Sequence, residues 1–396
     1  MKLFCDLHIH SKYSRGTSKD ISLNNLEDNA RKKGINILGT GDFTHPEWLR
    51  TLSSLKEENG FLLTKTGFTF CLQTEVSLIF KKAGKLRKIH LVLLSPSLRT
   101  SKKIAAFISN YTNIEADGRP TISIDAERFI KELKQIDEDI EVIPAHVWTP
   151  WFGLFGSKSG FDSVEDCFSS MSEHIHALET GLSSDPEMNW MISSLDKYEL
   201  VSFSDAHSFW PHRLGREATL VEMPEKKNYQ SLISSIREKK VVLTIEVNPA
   251  YGKYHLDGHR KCGFYSSYKE TEKLKGICPK CKKPLTIGVL NRVASLANRE
   301  KGEKPDRSHP FIRMLPLMEI IAFHLGKGIT TKTVRMEYER IISEMGNEYH
   351  ILLDEKIDRI KEKAGENIGE IIKAQREDNL SIKPGFDGEY GKIIDY

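Results

Sequence analysis

Long apolar runs are missing from this chain. No stretch of its 396 residues approaches the roughly 20 apolar residues that a bilayer-spanning helix needs, which excludes a membrane-spanning protein. Cysteine is scarce and unevenly placed: of six, Cys5, Cys71 and Cys167 stand apart, and only Cys262, Cys278 and Cys281 cluster. That distribution speaks against a disulfide framework and for a metal. Neither sign of charge dominates, the net charge being +3, so local charge has to identify any nucleic-acid partner. A Gly-rich phosphate loop and an internal repeat are also missing. The chain opens on an apolar strand pattern instead of a basic, cleavable leader, which leads us to expect a cytoplasmic protein with no membrane partner. What remains, with 39% hydrophobic and 29% charged residues, is a soluble globular chain of about two or three domains.

The first ten residues carry the clearest signal. The run Leu3-Phe4-Cys5-Asp6-Leu7 leads into His8-Ile9-His10, and residues i and i+2 of a strand share a face, so both imidazoles can grip one metal ion. From residue 1 to about 245, apolar β-type runs alternate with helical patterns, which predicts parallel βα units. Ser22 and Gly34 bracket one helix, and Asp125 caps another that runs to about Ile136. Strands are expected at 3–7, 35–39, 68–80, 88–94, 141–145, 176–180 and 199–204. Ligand-type residues recur near their ends: Asp42 and His45 after the second, His146 after the fifth, Asp205 and His207 after the seventh. Glu75 and His90 stand inside apolar runs, where an ionisable group is costly unless paired or coordinated. In a βα barrel the C-terminal strand ends form the catalytic rim, so these residues converge on a metal site. A metal pair lowers the pKa of bound water and flanks both oxygens of an in-line displacement, which suits phosphate esters.

In order and spacing, His8-x-His10, Asp42, Glu75, His90, His146 and Asp205-x-His207 resemble the motifs of the polymerase and histidinol phosphatase (PHP) superfamily. The resemblance implies a distorted (β/α)7 barrel with two or three divalent metals, usually zinc or manganese, with magnesium a further candidate for activity. By the same resemblance, one metal takes His8, His10, Glu75 and Asp205, and a second shares Glu75 and adds His90 and His146. The chain departs from the pattern at the third site. No histidine lies between Ser11 and Ile21, and Asp42-Phe43 stands where Asp-His is usual, leaving Asp42 or His45 with His207.

Beyond the barrel, residues 253–283 hold nine Lys or Arg against three Asp or Glu. Within them His259-x2-Cys262-x15-Cys278-x2-Cys281 is a zinc-ribbon-like set, closed and therefore structural, with His255 a rival to His259 for the fourth position. Arg260, Lys261, Lys280, Lys282 and Lys283 form a basic patch that phosphates favour. Residues 310–379 read as packed short helices around Ile341, Ile342, Met345, Ile351, Leu352 and Leu353, and 383–393 as a loop and short strand.

This layout, with Gly39 to Pro46, Pro144 to Trp151, Ser204 to Ser208, the Cys knuckle and Pro384 to Gly388, resembles the endonuclease Q family over nearly the full chain. The resemblance implies metal-dependent cleavage of double- or single-stranded DNA on the 5′ side of a deaminated base (uracil, hypoxanthine) or an abasic site. His8, His10, Glu75, Asp205 and His207 would be the catalytic set. Trp148, Trp151, Phe152, Phe209 and Trp210 would wall a flipped nucleotide, and Arg213 and Arg216 would clamp a phosphate or pair with carboxylates. The expected organisation is a PHP-type α/β barrel at 1–245, a zinc segment at 246–290 and a mainly helical DNA-binding region at 291–396, in a cytoplasmic, nucleoid-associated protein. Two rivals are a small-molecule phosphoesterase with an incidental basic tail and a catalytically silent DNA-binding module. A sliding-clamp contact is not legible either way.

Overall fold

Short β-rich runs separated by capped helices produce a mixed α/β fold, which the computed structural model describes for residues 1–395. Strand Lys2–Asp6 lies parallel to Ile37–Gly39, which lies parallel to Thr69–Cys71. Past Leu72 the chain continues as Gln73–Lys82 and returns antiparallel as Lys85–Leu94. Glu141–Pro144 pairs with that return strand, and Ala177–Glu179 and Glu199–Val201 follow as a parallel pair. The ring closes where His10 N donates to Ala206 O at 2.9 Å.

The expected strands are present with their ends shifted, but two expectations need correction. The run 68–80 is not one strand: it breaks at Leu72, and its halves belong to different sheets. Nor is the pattern uniformly parallel, because Gln73–Lys82 and Lys85–Leu94 form a hairpin. Its turn, Ala83-Gly84, has φ of 50° and 74°, the paired left-handed conformation that matches strand twist in two-residue loops.

Alternation along the strands divides the core in two. Cys5, Leu7, Ile37, Cys71, Val92, Ile143, Ala177 and Val201 form one cluster, to which every strand of the ring except Gln73–Lys82 contributes. Their strand neighbours Leu38, Phe70, Leu91, Leu93, Val142 and Leu178 pack outward with helix residues Leu26, Ala30, Ile104, Ile130 and Leu133. Two helices begin as expected: Ser22 accepts from Asn25 N ahead of Leu23–Lys33, and Asp125 accepts from Glu127 N ahead of Ala126–Ile136.

Ala218–Glu222 and Val241–Glu246 extend the sheet beside the first strand. Phe311–Arg313 then adds in parallel to Val241–Glu246, so the C-terminal region begins inside the sheet that holds Lys2–Asp6. Helices Leu317–Leu325, Lys332–Met345, Ile357–Ala364 and Glu366–Arg376 follow, burying Ile341, Met345, Ile351 and Leu352, with Ile342 and Leu353 half-buried. The tail ends in an antiparallel pair, Ser381–Lys383 with Lys392–Asp395. Between them Phe386 to Gly391 folds back on residues 250–256: Leu256 N donates to Gly385 O and Gly391 N to Tyr251 O. Among the described residues no helix is long and apolar enough to cross a membrane.

Candidate metal centre

Three segments of the site, two of them carrying donors, leave their strands through backbone that few side chains tolerate. Asp42, His146 and Asp205 have φ of 42°, 32° and 46°, the left-handed region, which costs about 1–3 kcal/mol per residue. Glu75 and His90 arrive differently, from the facing strands of the hairpin.

Together they make two donor groups that share a carboxylate: His8, His10, Glu75 and Asp205, and Glu75, His90 and His146. Glu75 Oε2 lies 3.2 Å from His10 Nε2, and Oε1 lies 2.7 Å from His90 Nδ1 and 3.1 Å from His146 Nε2. Asp205 Oδ1 is 3.2 Å from His10 Nε2 and 3.6 Å from His8 Nε2. Burial alone would raise the Glu75 and Asp205 carboxyls, but the surrounding imidazoles, with Arg119 at Glu75, hold them well below the usual range. Burial works against a charged His8, and Glu179, Glu75 and Asp205 outweigh it, raising that imidazole well above its ordinary value. His90 goes the other way, burial pushing it down to about 4.

The donor set fits divalent metal. His8 Nε2 is fully buried, points into the group and has no hydrogen-bond partner, an arrangement that is costly unless a cation takes the lone pair. Supporting groups fix the ligands from behind. His8 Nδ1 sits 2.8 Å from Glu179 Oε1, and Glu179 Oε2 also accepts from His146 N at 2.6 Å. His10 Nδ1 sits 3.1 Å from Asp42 Oδ1, whose other oxygen accepts from Ser11 N, Ser11 Oγ and Ser14 Oγ. A carboxylate behind a ligating imidazole fixes its tautomer and raises its basicity.

The donors lie at the floor of an open cleft of about 840 Å³. His90, His146, Asp205 and His207 face it, with Arg119, Arg213 and Arg216 as cations and Trp151, Phe152, Tyr254 and Tyr390 as aromatic wall. Arg119 Nη1 donates to Glu75 Oε2 at 3.0 Å, and Arg216 Nε to Ser204 O at 3.1 Å. Cations and aromatic rings thus line the cleft together, Phe152 packing on His90 at 4.4 Å.

A second cluster, His259, Cys262, Cys278 and Cys281, forms outside the barrel, with His259 Nδ1 3.3 Å from Cys281 Sγ. Cys278 N donates to Lys283 O and Lys282 N to Cys278 O, the tight turn that a Cys-x2-Cys knuckle requires. His255 stays out of the group, and Arg260, Lys261, Lys280, Lys282 and Lys283 are all exposed around it.

Comparison with known proteins gives this arrangement a family. The chain superimposes on the lesion-specific endonuclease PfuEndoQ of Pyrococcus furiosus with a TM-score of 0.89 and 34% identity, covering 99% of this chain and 95% of that one. It belongs to the endonuclease Q family. A structure of endonuclease Q with a 27-mer duplex bearing an abasic lesion at the active site matches equally well, at TM-score 0.89 and 34% identity over 100% and 97% of the two chains. An uncharacterized Methanocaldococcus jannaschii protein, MJ0043, is 36% identical over 250 residues, 62% of this chain and 31% of that protein's length, so this chain spans under a third of it. A family profile described as the MJ0043 C-terminal domain matches residues 316–379, the helical unit.

Within this endonuclease Q chain several sequence expectations are corrected. Asp42 joins neither donor group and instead holds His10, Ser11 and Ser14. His45 caps helix Pro46–Leu52, stacks on Tyr13 at 4.0 Å and approaches Glu115 O, away from both groups. His207 borders the cleft 4.5 Å from the His10 ring without joining a donor group, so no third site assembles among the described residues. Trp148 is buried, packs on Phe155 and donates Nε1 to Asn189 Oδ1 at 2.8 Å, which makes it core and not cleft wall. Phe209 and Trp210 stack on each other outside the cleft, where Arg335 covers Trp210. Glu179 was missed as a site residue although a signal existed: it ends a strand, as His146 and Asp205 follow theirs. Arg119, Tyr254 and Tyr390 had no local signal, because loops distant in sequence bring them to the cleft.

Proposed function

We propose that this chain is a metal-dependent DNA repair endonuclease that hydrolyses the phosphodiester on the 5′ side of a deaminated base, uracil or hypoxanthine, or of an abasic site. The carrying observation is a pair of donor groups bridged by Glu75 at the floor of a cationic, aromatic-rimmed cleft that can admit a nucleotide. Membership of the endonuclease Q family supports it, as does the abasic duplex held by one relative. On this reading residues 1–245 are a PHP-type distorted (β/α)7 barrel, 246–290 a zinc-stapled segment and 291–396 a helical region contacting duplex DNA in the cytoplasmic nucleoid.

His8, His10, Glu75 and Asp205 would hold one divalent ion, and Glu75, His90 and His146 a second. Zinc suits these donors, with manganese or magnesium as alternatives for activity. Such ions supply a nucleophile near neutral pH and neutralise charge at the phosphate. Glu179 and Asp42 keep His8 and His10 in ligating orientation, and Arg119, Arg213 and Arg216 place the scissile phosphate by charge-assisted hydrogen bonds. Trp151 and Phe152 receive the unstacked nucleotide, whose extrusion costs least where pairing is already lost. His207, beside Asp205 on the cleft wall, would contact the reacting phosphate.

The test uses labelled duplexes that differ only in one uracil, hypoxanthine or abasic position, incubated with full-length protein and zinc, manganese or magnesium. A product ending one bond 5′ of the lesion, absent from undamaged duplex, is expected. Turnover of phosphate monoesters without any lesion-dependent product would replace this reading with a small-molecule phosphoesterase.

A further inference from the structure

The segment from Asp205 to Arg216 carries one donor of the first metal group and two cleft arginines, yet it is loop after strand Glu199–Val201 ends. Its two ends are pinned to one carboxylate of the barrel. Buried Asp6 accepts from Ser204 N at 2.9 Å, Ser204 Oγ at 2.6 Å and Gly215 N at 2.9 Å.

The helical unit also reaches the loop, directly at Gly215 and Trp210 and indirectly through Lys33 of helix Leu23–Lys33. Tyr349 OH donates to Gly215 O at 2.6 Å. Lys33 Nζ donates to Pro211 O at 2.9 Å and pairs with Glu348 Oε1 at 2.7 Å, both side chains being fully buried. The same Glu348 oxygen accepts from Leu317 N at 2.9 Å, which ties the ion pair to the start of helix Leu317–Leu325. Arg335 lies over the Trp210 ring at 4.2 Å. The fit leaves no slack: Gly215, at φ 61°, would place a Cβ 2.7 Å from Lys33 Cγ. Trp210 thus faces Arg335 of the helical unit, with Phe209 stacked on it, and neither ring lines the cleft.

We propose that the C-terminal helical unit positions the Asp205 loop, through Tyr349, the Lys33–Glu348 pair and Arg335, and so sets the geometry of the metal group. On this view it is more than a grip on duplex DNA. A grip acts on DNA affinity, whereas a positioning element acts on metal affinity and turnover. Only the cutting assay below rests on the function proposed above.

Two full-length variants test it. Tyr349→Phe removes one hydroxyl and keeps the ring, and Arg335→Ala changes an exposed residue. Cobalt(II) titration reads the two metal sites separately, because only the cysteine site gives a thiolate charge-transfer band. With folded protein and an unchanged thiolate band, cobalt affinity at the barrel site should fall about 10-fold in Tyr349→Phe. Backbone amides of 205–216 should exchange faster, and kcat on lesion duplex should fall with KM nearly constant. Arg335→Ala should move the same readouts by less. Unchanged barrel cobalt affinity and exchange in both variants would overturn the proposal, as would a raised KM at constant kcat and metal affinity, the mark of a grip. If the wild-type protein cuts no lesion duplex, the proposed function falls while the cobalt and exchange measurements still decide this point.

Discussion

The histidine–carboxylate cluster and the cysteine knuckle both carry donor sets that suit a metal, yet the fold supports them in opposite ways. In the barrel, each histidine of the first group has a carboxylate behind it, the donors are buried except for Asp205, and the two groups open on a cleft. At the knuckle, four donors close on one another, Cys262 and Cys281 are only half-buried, and the neighbouring side chains are exposed lysines and an arginine. Ligands alone therefore do not tell a chemical site from a staple. The layer behind them and the space in front of them do.

The sharpest way to break that contrast is Asp205→Asn. It preserves shape and the left-handed backbone, which asparagine tolerates, while weakening one donor. Cutting should fall on the order of 10³-fold with DNA binding retained, as gel shift and single-turnover assays would report. Equal cutting by that variant would remove the metal assignment. Cys278→Ser should do the reverse: one zinc lost by elemental analysis, new protease cuts within 246–290 and weaker DNA binding, while the barrel keeps its metals. Structural zinc sites of this type contribute apparent binding energies of about 10 kcal/mol, so local unfolding is expected. A variant that stays protease-resistant without zinc would make the knuckle dispensable.

Glu179→Gln probes the layer behind the barrel ligands. It should lower metal affinity about 10- to 100-fold, with activity restored by excess metal. Failure of metal to restore it would mean that Glu179 does more than orient His8. The smallest effect is expected from replacing Lys280, Lys282 and Lys283 together by glutamine. Turnover at saturating DNA should be unchanged, and the slope of log affinity against log salt should flatten by about 0.9 for each phosphate no longer neutralised.

How much of this was legible in the sequence depends on the range of the interaction. Helix caps at Ser22 and Asp125 are local, and they were read correctly. Both donor groups were assembled from the family resemblance and appear as the same residues in the structure. The knuckle was legible from spacing, although only the structure separates His259 from His255. What escaped was pairing direction and which face a side chain takes. A β-rich stretch such as 68–80 reads alike whether one strand or two, and the antiparallel hairpin at 73–94 depends on a two-residue turn that pattern alone underweights. Aromatics after a metal motif look alike on paper. Trp148 is core, Trp210 lies under Arg335 and Trp151 is cleft wall only because of which segments pack against them.

The hairpin has one more implication. Glu75 and His90 belong to strands locked in register over ten residue pairs from Gln73–Leu94 to Lys82–Lys85, whereas Asp205 rides on a loop. The bridging carboxylate is therefore an anvil: loop breathing can withdraw Asp205 from the first group, but it cannot pull Glu75 and His90 apart. A change of geometry within the first group therefore falls on Asp205 before it falls on the strand-held Glu75.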